Sequence, residues 1–286
     1  MRIDDANLEA AVDLLVRGFP DRPRKFWQSG LERLASAPEH ANGREPVGYV
    51  LEAGNALVGV GLTAVSRRPG PEDPATTRRW VNLSSWYIVP EHRWKTPLLL
   101  REMMADPDAI YTDLTPTPDV QRMMPSLGFS ALNDGVEVGI VPCLALAGAT
   151  RWRVSLWGDE DDQTTAHHYA DLMADHRRWG CHTLAIRHES GPVPLILRTT
   201  RLSRIPIAKA IFCPSPDVLH EAIAAVSRYL LARGIPLLLA DRPTTGGSPK
   251  LPLAIKFAQR RRRFGKNVPT AAGIDYAYSE LVYFDL

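Results

Sequence analysis

Residues 81–104 decide the fold of this chain, and they read VNLSSWYIVPEHRWKTPLLLREMM. The first nine of these residues predict a long strand, because β-branched and aromatic residues dominate there and Pro90 ends the run. Pro97 suits the first turn of a helix, where its missing N–H has no partner to lose. Leu98–Leu100, Met103 and Met104 supply the apolar side of that helix. A strand that leads directly into a helix is typical of an α/β sheet.

Strand and helix patterns continue on both sides of this stretch. Upstream, VGYVLEA and ALVGVGLTAVS flank the dipeptide Gly54-Asn55, which indicates a hairpin turn. The elements predicted downstream are a strand over Ala109–Leu114, a helix over Val120–Leu127, a return strand from Gly128-Phe129 and a last strand over Val136–Val141. Beyond residue 160 the order helix, strand, strand, strand, helix, strand recurs, and residues 274–284 (IDYAYSELVYF) predict a final strand.

The repeated element order predicts the fold class and the domain organisation. We expect an α/β protein with a mixed sheet and helices on both faces, duplicated along the chain. The expected domains are residues 1–147 and residues 148–286, and the boundary follows the small residues of LALAGAT. No residue-level repeat accompanies the element order, so the duplication depends on that order alone.

Composition bounds the class of protein. The 286 residues carry 34 Lys+Arg against 32 Asp+Glu, which gives +2, and this near balance argues against a nucleic-acid partner. The three cysteines, Cys143, Cys181 and Cys213, are far apart and odd in number, as in a reducing compartment. No apolar run reaches the ~20 residues of a membrane span. We therefore expect a soluble, cytoplasmic protein without a membrane partner.

The core of the first half resembles the GNAT superfamily of acyl-CoA-dependent N-acyltransferases. Ile88, Pro90, Glu91 and Arg93 stand at the family's V-x-P-E-x-R phrase, and Gly128-Phe129 stands at its return strand. The element order agrees from residue 1 to about residue 142, and the specific motif lies within residues 83–130. The second half looks like a degenerate copy of the same fold.

The resemblance implies a site for acetyl-CoA or another acyl-CoA. Arg93 and Lys95 would add positive charge where a helix N terminus receives the pyrophosphate, and the backbone of Trp86–Ile88 would pair with the pantetheine arm. The residues expected to bind the donor are Trp86, Ile88, Val89, Arg93, Trp94, Lys95, Thr96, Pro97 and Leu98. The residues expected to take part in catalysis are Tyr87, Glu91 and Asp113.

Each expected catalytic residue also has a plain structural interpretation. Glu91 could complement the helix dipole or pair with Arg93, Tyr87 could pack in the core, and Asp113 could cap the next segment. The sequence also departs from the family pattern. Thr96 and Leu98 replace the turn glycines, Met124 stands where a tyrosine often donates a proton to the thiolate, and Thr117 replaces an asparagine.

Other clusters of reactive residues give weaker indications of function. Five histidines and one cysteine do not have the spacing of a zinc site, so we expect no metal: His167, His168, His176, Cys181, His182 and His188. The run Arg260–Arg263 is either a solvated, ion-paired segment or a contact for an anionic ligand.

Three functions remain open. The first is an acyltransferase that moves an acetyl or other acyl group from acyl-CoA to an amine, or to a hydroxyl, of a small molecule or sugar. The second uses a long-chain acyl-CoA or an acyl carrier protein as donor, to which the apolar residues Leu98–Leu100, Met103 and Met104 would be suited. The third is a non-catalytic CoA-binding module. The sequence leaves the acceptor and the oligomeric state open.

Overall fold

A computed structural model gives the fold of the chain. It describes residues 1–69, 76–146, 151–158, 160–161, 169–188, 191–202, 204–243, 254–258, 262–268 and 274–284. The chain forms two compact units. The first comprises Met1–Thr115, Gly265–Pro269 and Tyr278–Leu286, and the second comprises Pro116–Phe264 and Thr270–Ala277. The units interleave along the chain, whereas the predicted domains are continuous; a boundary at residue 147 and a duplication stay predictions.

The first unit is built on the strands that the opening stretch predicts. Its strands are β1 (Gly48–Ala53), β2 (Ala56–Pro69), β3 (Thr77–Ile88) and β4 (Ile110–Asp113), in that order across the sheet, with β13 (Phe264–Lys266) beside β4. Its helices are α1 (Leu8–Gly18), α2 (Arg24–Ala35), α3 (Pro38–Ala41), α4 (Thr96–Met103) and, near the C terminus, α10 (Glu280–Tyr283). The predicted hairpin is confirmed, since Ala53 pairs with Ala56 across a turn in which Gly54 has a φ of 63°.

Helices cover both faces of the first sheet. Met103 of α4 lies against Gly61 on one face, and Gly18 of α1 lies against Tyr87 on the other. The buried core includes Leu15, Trp27 and Leu99, each about 1% exposed or less. The mixed α/β class with helices on both faces is therefore confirmed for this unit.

The second unit contains a larger mixed sheet. Its strands lie in the order β12 (Ala254–Ala258), β6 (Asn133–Ile140), β11 (Leu237–Pro243), β10 (Ile205–Cys213), β9 (Gly191–Leu202), β8 (His182–His188) and β7 (Arg153–Leu156), and β14 (Ile274–Asp275) pairs with β10. The short strand β5 (Ser130–Ala131) precedes β6. The helices are α5 (Pro118–Met123), α6 (Val141–Leu146), α7 (Ala170–Arg178), α8 (Pro216–Glu221) and α9 (Ile223–Leu231).

Three local predictions differ from the structure. The strand predicted over Val136–Val141 forms as β6, but it lies in the second unit between β11 and β12. The predicted strand over residues 274–284 is wrong for Glu280–Tyr283, which is helical because the Ser279 hydroxyl caps the N–H of Leu281. The helix predicted over Val120–Leu127 ends at Met123 and continues as a 3₁₀ turn, Met124–Leu127.

Candidate functional site

The strands β3 and β4 separate from each other inside the first unit. They pair in parallel over three residue pairs, from Trp80–Ile110 to Asn82–Thr112. β4 ends one residue later at Asp113, whereas β3 continues to Ile88 and stays paired with β2 on its other side. Within the described residues no strand pairs with Trp86–Ile88 on the β4 side. We call this opening the first fork, formed by Leu83–Ile88 on one side and Asp113–Thr115 on the other.

A β-bulge shapes the β3 side of the first fork. The register shifts between the pairs Gly61–Trp86 and Thr63–Leu83, so β3 has one residue more than β2 at Ser84-Ser85. A bulge bends its strand and redirects side chains, and bulges are common beside active sites. Ser84, one of the two residues at this bulge, is buried, with 3% of its surface exposed.

A polar cluster fills the base of the first fork. The carboxylate of Glu280 accepts a hydrogen bond from the Ser84 hydroxyl at 2.8 Å and another from the Thr115 hydroxyl at 2.8 Å. The Glu280 N–H donates to Asn82 Oδ1 at 2.8 Å. Asp113, which ends β4, is 4% exposed, and Glu280 is 1% exposed. We call Asn82, Ser84, Asp113, Thr115 and Glu280 the fork cluster.

Asp113 has an unusual protonation equilibrium within this cluster. Burial, and then the negative charge of Glu280, raise the pKa of Asp113 well above its ordinary value, while a hydrogen bond from the Thr115 backbone acts in the opposite direction. Two neighbouring buried carboxyls do not both ionise easily, because each charge disfavours the other. Asp113 therefore holds a proton under conditions in which an exposed aspartate has lost it.

The predicted residues on β3 lie along the free edge of the first fork or beside it. Ile88 and Val89 are buried, at 4% and 6% exposure, and Trp86 is half-buried. The half-buried Tyr87 ring packs on α1: a Cβ atom on Gly18 would come within 2.4 Å of it. Tyr87 thus has the packing contact that the structural interpretation expected, and its catalytic role stays a prediction.

The segment after β3 differs from the expected loop-to-helix turn. Pro90–Lys95 form a 3₁₀ helix that runs directly into α4, with Lys95 at φ −81° and Thr96 at φ −47°. The Thr96 hydroxyl and N–H both bond the Arg93 carbonyl. Without glycines the chain stays in right-handed helical geometry, so fewer N–H groups are free for a phosphate than in a glycine-rich turn.

The side chains of this segment lie largely in solvent. Those of Glu91, Arg93 and Pro97 are exposed. Trp94 is 72% exposed and Leu98 is 40% exposed. The Lys95 ammonium lies 5.4 Å from the centre of the Trp94 ring. Arg93 and Lys95 are thus available as cations near the start of α4, whereas Glu91 lies outside the fork cluster.

Sequence reasoning selected one member of the fork cluster, Asp113, and missed the others. Ser84 gives no local signal of function, because no G-x-S-x-G motif surrounds it. Glu280 lies far along the chain in a segment that the pattern assigned to a strand. The Ser-Glu pair at residues 279–280 is the signal for a helix start that could have placed Glu280 correctly.

The second unit contains a corresponding pair of separating strands. β10 and β11 pair in parallel over three residues, from Ile207–Leu237 to Lys209–Leu239, and β10 has a bulge between Ala210 and Phe212. Beyond these pairs the chain adds its own strand, β14, whose Asp275 pairs with Phe212. We call this closed opening the second fork.

Side chains hold the strand in the second fork. The Tyr276 N–H donates to the Ile211 carbonyl at 2.7 Å, and its hydroxyl bonds Asp241. Arg263 makes an ion pair with Asp241 at 3.0 Å, and its guanidinium lies 4.0 Å from the centre of the Tyr276 ring. Arg263, the last residue of the predicted arginine run, is 3% exposed and belongs to this structural contact.

Within the part of the chain that the structure describes, no three His, Cys, Asp or Glu side chains are grouped as metal ligands. His167, His168, Arg260 and Arg261 lie outside the described residues. The described helices include none long and apolar enough to cross a membrane.

Solved structures share this fold. No protein-family model and no curated protein sequence matches the chain. A GCN5-related N-acetyltransferase from Anabaena variabilis matches with a TM-score of 0.58 at 11% identity, over 94% of this chain and 72% of that one. A probable N-acyltransferase from Enterococcus faecalis matches with a TM-score of 0.57 at 10% identity, over the same shares. A GCN5-related N-acetyltransferase from Kribbella flavida matches with a TM-score of 0.53 at 16% identity, over 93% and 69%. This chain has the GNAT fold.

Proposed function

We propose that the first unit is an acyltransferase that moves an acyl group from acyl-CoA, with acetyl-CoA as the expected donor, to an amine or hydroxyl of a small molecule or sugar. The first fork carries the proposal. Its edge Trp86–Ile88 has no strand partner on the β4 side among the described residues, and β4 ends at the buried Asp113, whose pKa is raised. An extended thioester carrier can add to such an edge as a strand would, and acyl transfer to an amine requires proton transfer nearby.

The residues of the first unit suit the two ends of an acyl-CoA donor. The backbone of Trp86–Ile88 would bind the pantetheine amides, and Arg93 and Lys95 would meet the phosphates. When bound, the donor supplies a thioester carbonyl for attack by the acceptor. A β3 backbone N–H in the fork would stabilise the charge that develops on the carbonyl oxygen.

A longer donor is the second candidate. The exposed side chains of Trp94 and Leu98 favour it, since they offer apolar surface beside the cations. Leu99, Leu100 and Met103, however, are buried in the core at 4% exposure or less, so most of the apolar residues after Pro97 are not free to bind an acyl chain. We therefore expect acetyl-CoA to be the preferred donor in a series of acyl-CoAs of increasing chain length. A preference for longer chains or for an acyl carrier protein would favour the second candidate instead.

Calorimetry with acetyl-CoA tests donor binding. We expect one site per chain, because the second fork is closed by β14. The double variant Arg93→Glu, Lys95→Glu should bind about tenfold more weakly, as two charge reversals of ~0.7 kcal/mol each would give. Arg101→Glu is the matched control, since Arg101 is an exposed cation on α4, the helix that follows directly, with 73% of its side chain exposed.

Two results decide between an enzyme and a binding module. Turnover of acetyl-CoA on a panel of amines, followed as release of free thiol, supports the proposal. Binding without turnover leaves the third possibility, a non-catalytic CoA-binding module. If wild-type protein neither binds nor turns over acetyl-CoA at millimolar concentration, the proposed function is wrong.

A further inference from the structure

The fork cluster contains two buried carboxyls that come from distant parts of the chain, and the charge of one raises the pKa of the other. Asp113 ends β4 and Glu280 begins α10; they are 4% and 1% exposed. Asp113 makes no ion pair among the described residues. A second negative charge buried near Glu280 is unfavourable, so Asp113 keeps its proton over a wide range of pH.

Hydrogen bonds decide which of the two carries the charge. The Ser84 and Thr115 hydroxyls both donate to Glu280, one to each carboxylate oxygen. Hydrogen bonds donated to a carboxylate favour its charged form. Glu280 is therefore the carboxylate of the pair and Asp113 is the acid, in agreement with the raised pKa of Asp113.

The Thr115 hydroxyl connects the buried pair to the outside of the fork. Thr115 is exposed, whereas Asp113, two residues earlier, is buried. Its Oγ1 atom lies 2.8 Å from Glu280 Oε1. A hydroxyl both donates and accepts a hydrogen bond, so Thr115 can pass a proton between a group in the fork and Glu280.

We propose that Asp113 and Glu280 form a one-proton pair that, through the Thr115 hydroxyl, accepts the proton lost by the acceptor amine and returns a proton to the leaving thiolate. This inference rests on the proposed function. As the bond from nitrogen to the acyl carbon forms and the carbon–sulfur bond breaks, Thr115 receives the amine proton and gives its own to Glu280. The pair then gives a proton back through Thr115 to the sulfur. The pair ends as it began, and the products are an amide and a thiol.

Other ionisable groups near these elements do not offer the same path. On α2, which packs against α10, Arg33 donates to the Tyr283 carbonyl at 2.6 Å. On β4, the Tyr111 hydroxyl donates to the Asp106 carbonyl at 2.7 Å. Glu280 is the group whose charge acts on Asp113. The pH dependence of the reaction should therefore follow the Asp113–Glu280 pair.

Variants at Thr115 test the relay without disturbing the core. Thr115→Val keeps the shape of the side chain but removes the hydroxyl; it should lower kcat about 100-fold, the scale of lost proton-transfer catalysis. The KM for acetyl-CoA should change little. Thr115→Ser restores the hydroxyl and should recover most of the rate. Full activity of Thr115→Val would overturn the relay while leaving the proposed function intact.

Variants of the pair add a measurement that does not need turnover. Infrared spectra of the protein at neutral pH should show a buried carboxylic acid band that disappears in Asp113→Asn. Wild-type kcat should fall as rising pH removes the proton of the pair, and Asp113→Asn should lack this fall. A missing acid band, or an unchanged pH profile in a folded Asp113→Asn protein, would refute the pair. A wild type that shows the band but transfers no acyl group would overturn both the catalytic role of the pair and the proposed function.

Discussion

The two forks share a backbone plan and differ in what fills them. In each unit a bulged strand, β3 or β10, pairs antiparallel with the neighbouring strand on one side. On its other side it pairs with a parallel strand over only three residues. The second fork is completed by β14, which adds to the edge of β10. The first fork contains a hydrogen-bonded cluster of side chains at its base, and its edge at Trp86–Ile88 has no strand partner among the described residues.

This difference shows how one architecture can be used for structure in one place and for binding in another. Separating strands leave backbone N–H and C=O groups that need partners. In the second fork the chain supplies those partners itself. In the first fork no described strand supplies them, which is why we propose the first unit as the donor site.

The largest expected effect comes from breaking the second fork. Arg263→Ala would leave Asp241 partly buried without its cation, and removal of one partner of a buried pair costs about 3–5 kcal/mol. Chemical denaturation should show this loss in the free energy of unfolding. Arg151→Ala is the control, because its ion pair with Glu221 is exposed and should contribute less than about 1 kcal/mol. Equal losses in the two variants would mean that Arg263 does not hold the second fork closed.

A smaller effect is expected from the pH dependence of the first fork. The pKa of Asp113 is raised in the folded protein, so the folded state binds this proton more tightly than the unfolded state does. Its contribution to stability is full below the unfolded pKa and is lost as the pH rises through the folded pKa, at about 1.4 kcal/mol for each unit between the two. In the Asp113→Asn variant the free energy of unfolding should not show this decrease as the pH rises. Parallel curves of unfolding free energy against pH for the two proteins would contradict the assignment.

The smallest effect concerns the segment that brings Glu280 to the first fork. A Cβ on Gly30 of α2 would lie 2.1 Å from the Phe284 ring, which is 1% exposed. Gly30→Ala should displace that ring and cost about 1–2 kcal/mol, since overpacking outweighs the gain in helix propensity. Gly158→Ala, where nothing lies within 4 Å of the added atom, is the control for melting temperature. A Gly30 variant as stable as the Gly158 variant would show that the segment can adjust freely.

The predictable part of the fold is the part with strong local signals. The Gly54-Asn55 turn, the long strand β3, and the helix after Pro97 each follow from residues within a few positions of one another. The same holds for β4, whose carboxyl end marked Asp113 as a candidate, since open α/β sheets bind ligands at that edge.

The rest depended on contacts that no local pattern encodes. β6 is a good strand by its residues, but its place between β11 and β12 is decided by which sheet edge can pair with it. Glu280 reads as part of an apolar stretch, and its role follows only from its bonds to Ser84 and Thr115. The family resemblance implied a phosphate-binding turn before α4. The structure has the 3₁₀ helix Pro90–Lys95 there instead.

The sequence by itself determined the class of the fold, the β3–α4 unit and the presence of a carboxyl at the end of β4, because hydrophobic periodicity, proline and turn residues act over short distances. Only the tertiary structure decided that a glutamate near the C terminus joins that carboxyl and which strands lie in which sheet. It also decided that β14 closes one fork, whereas the edge of the other has no strand partner among the described residues. Those features arise from pairing and burial between segments far apart in the chain, where many arrangements satisfy the same local pattern and packing selects one.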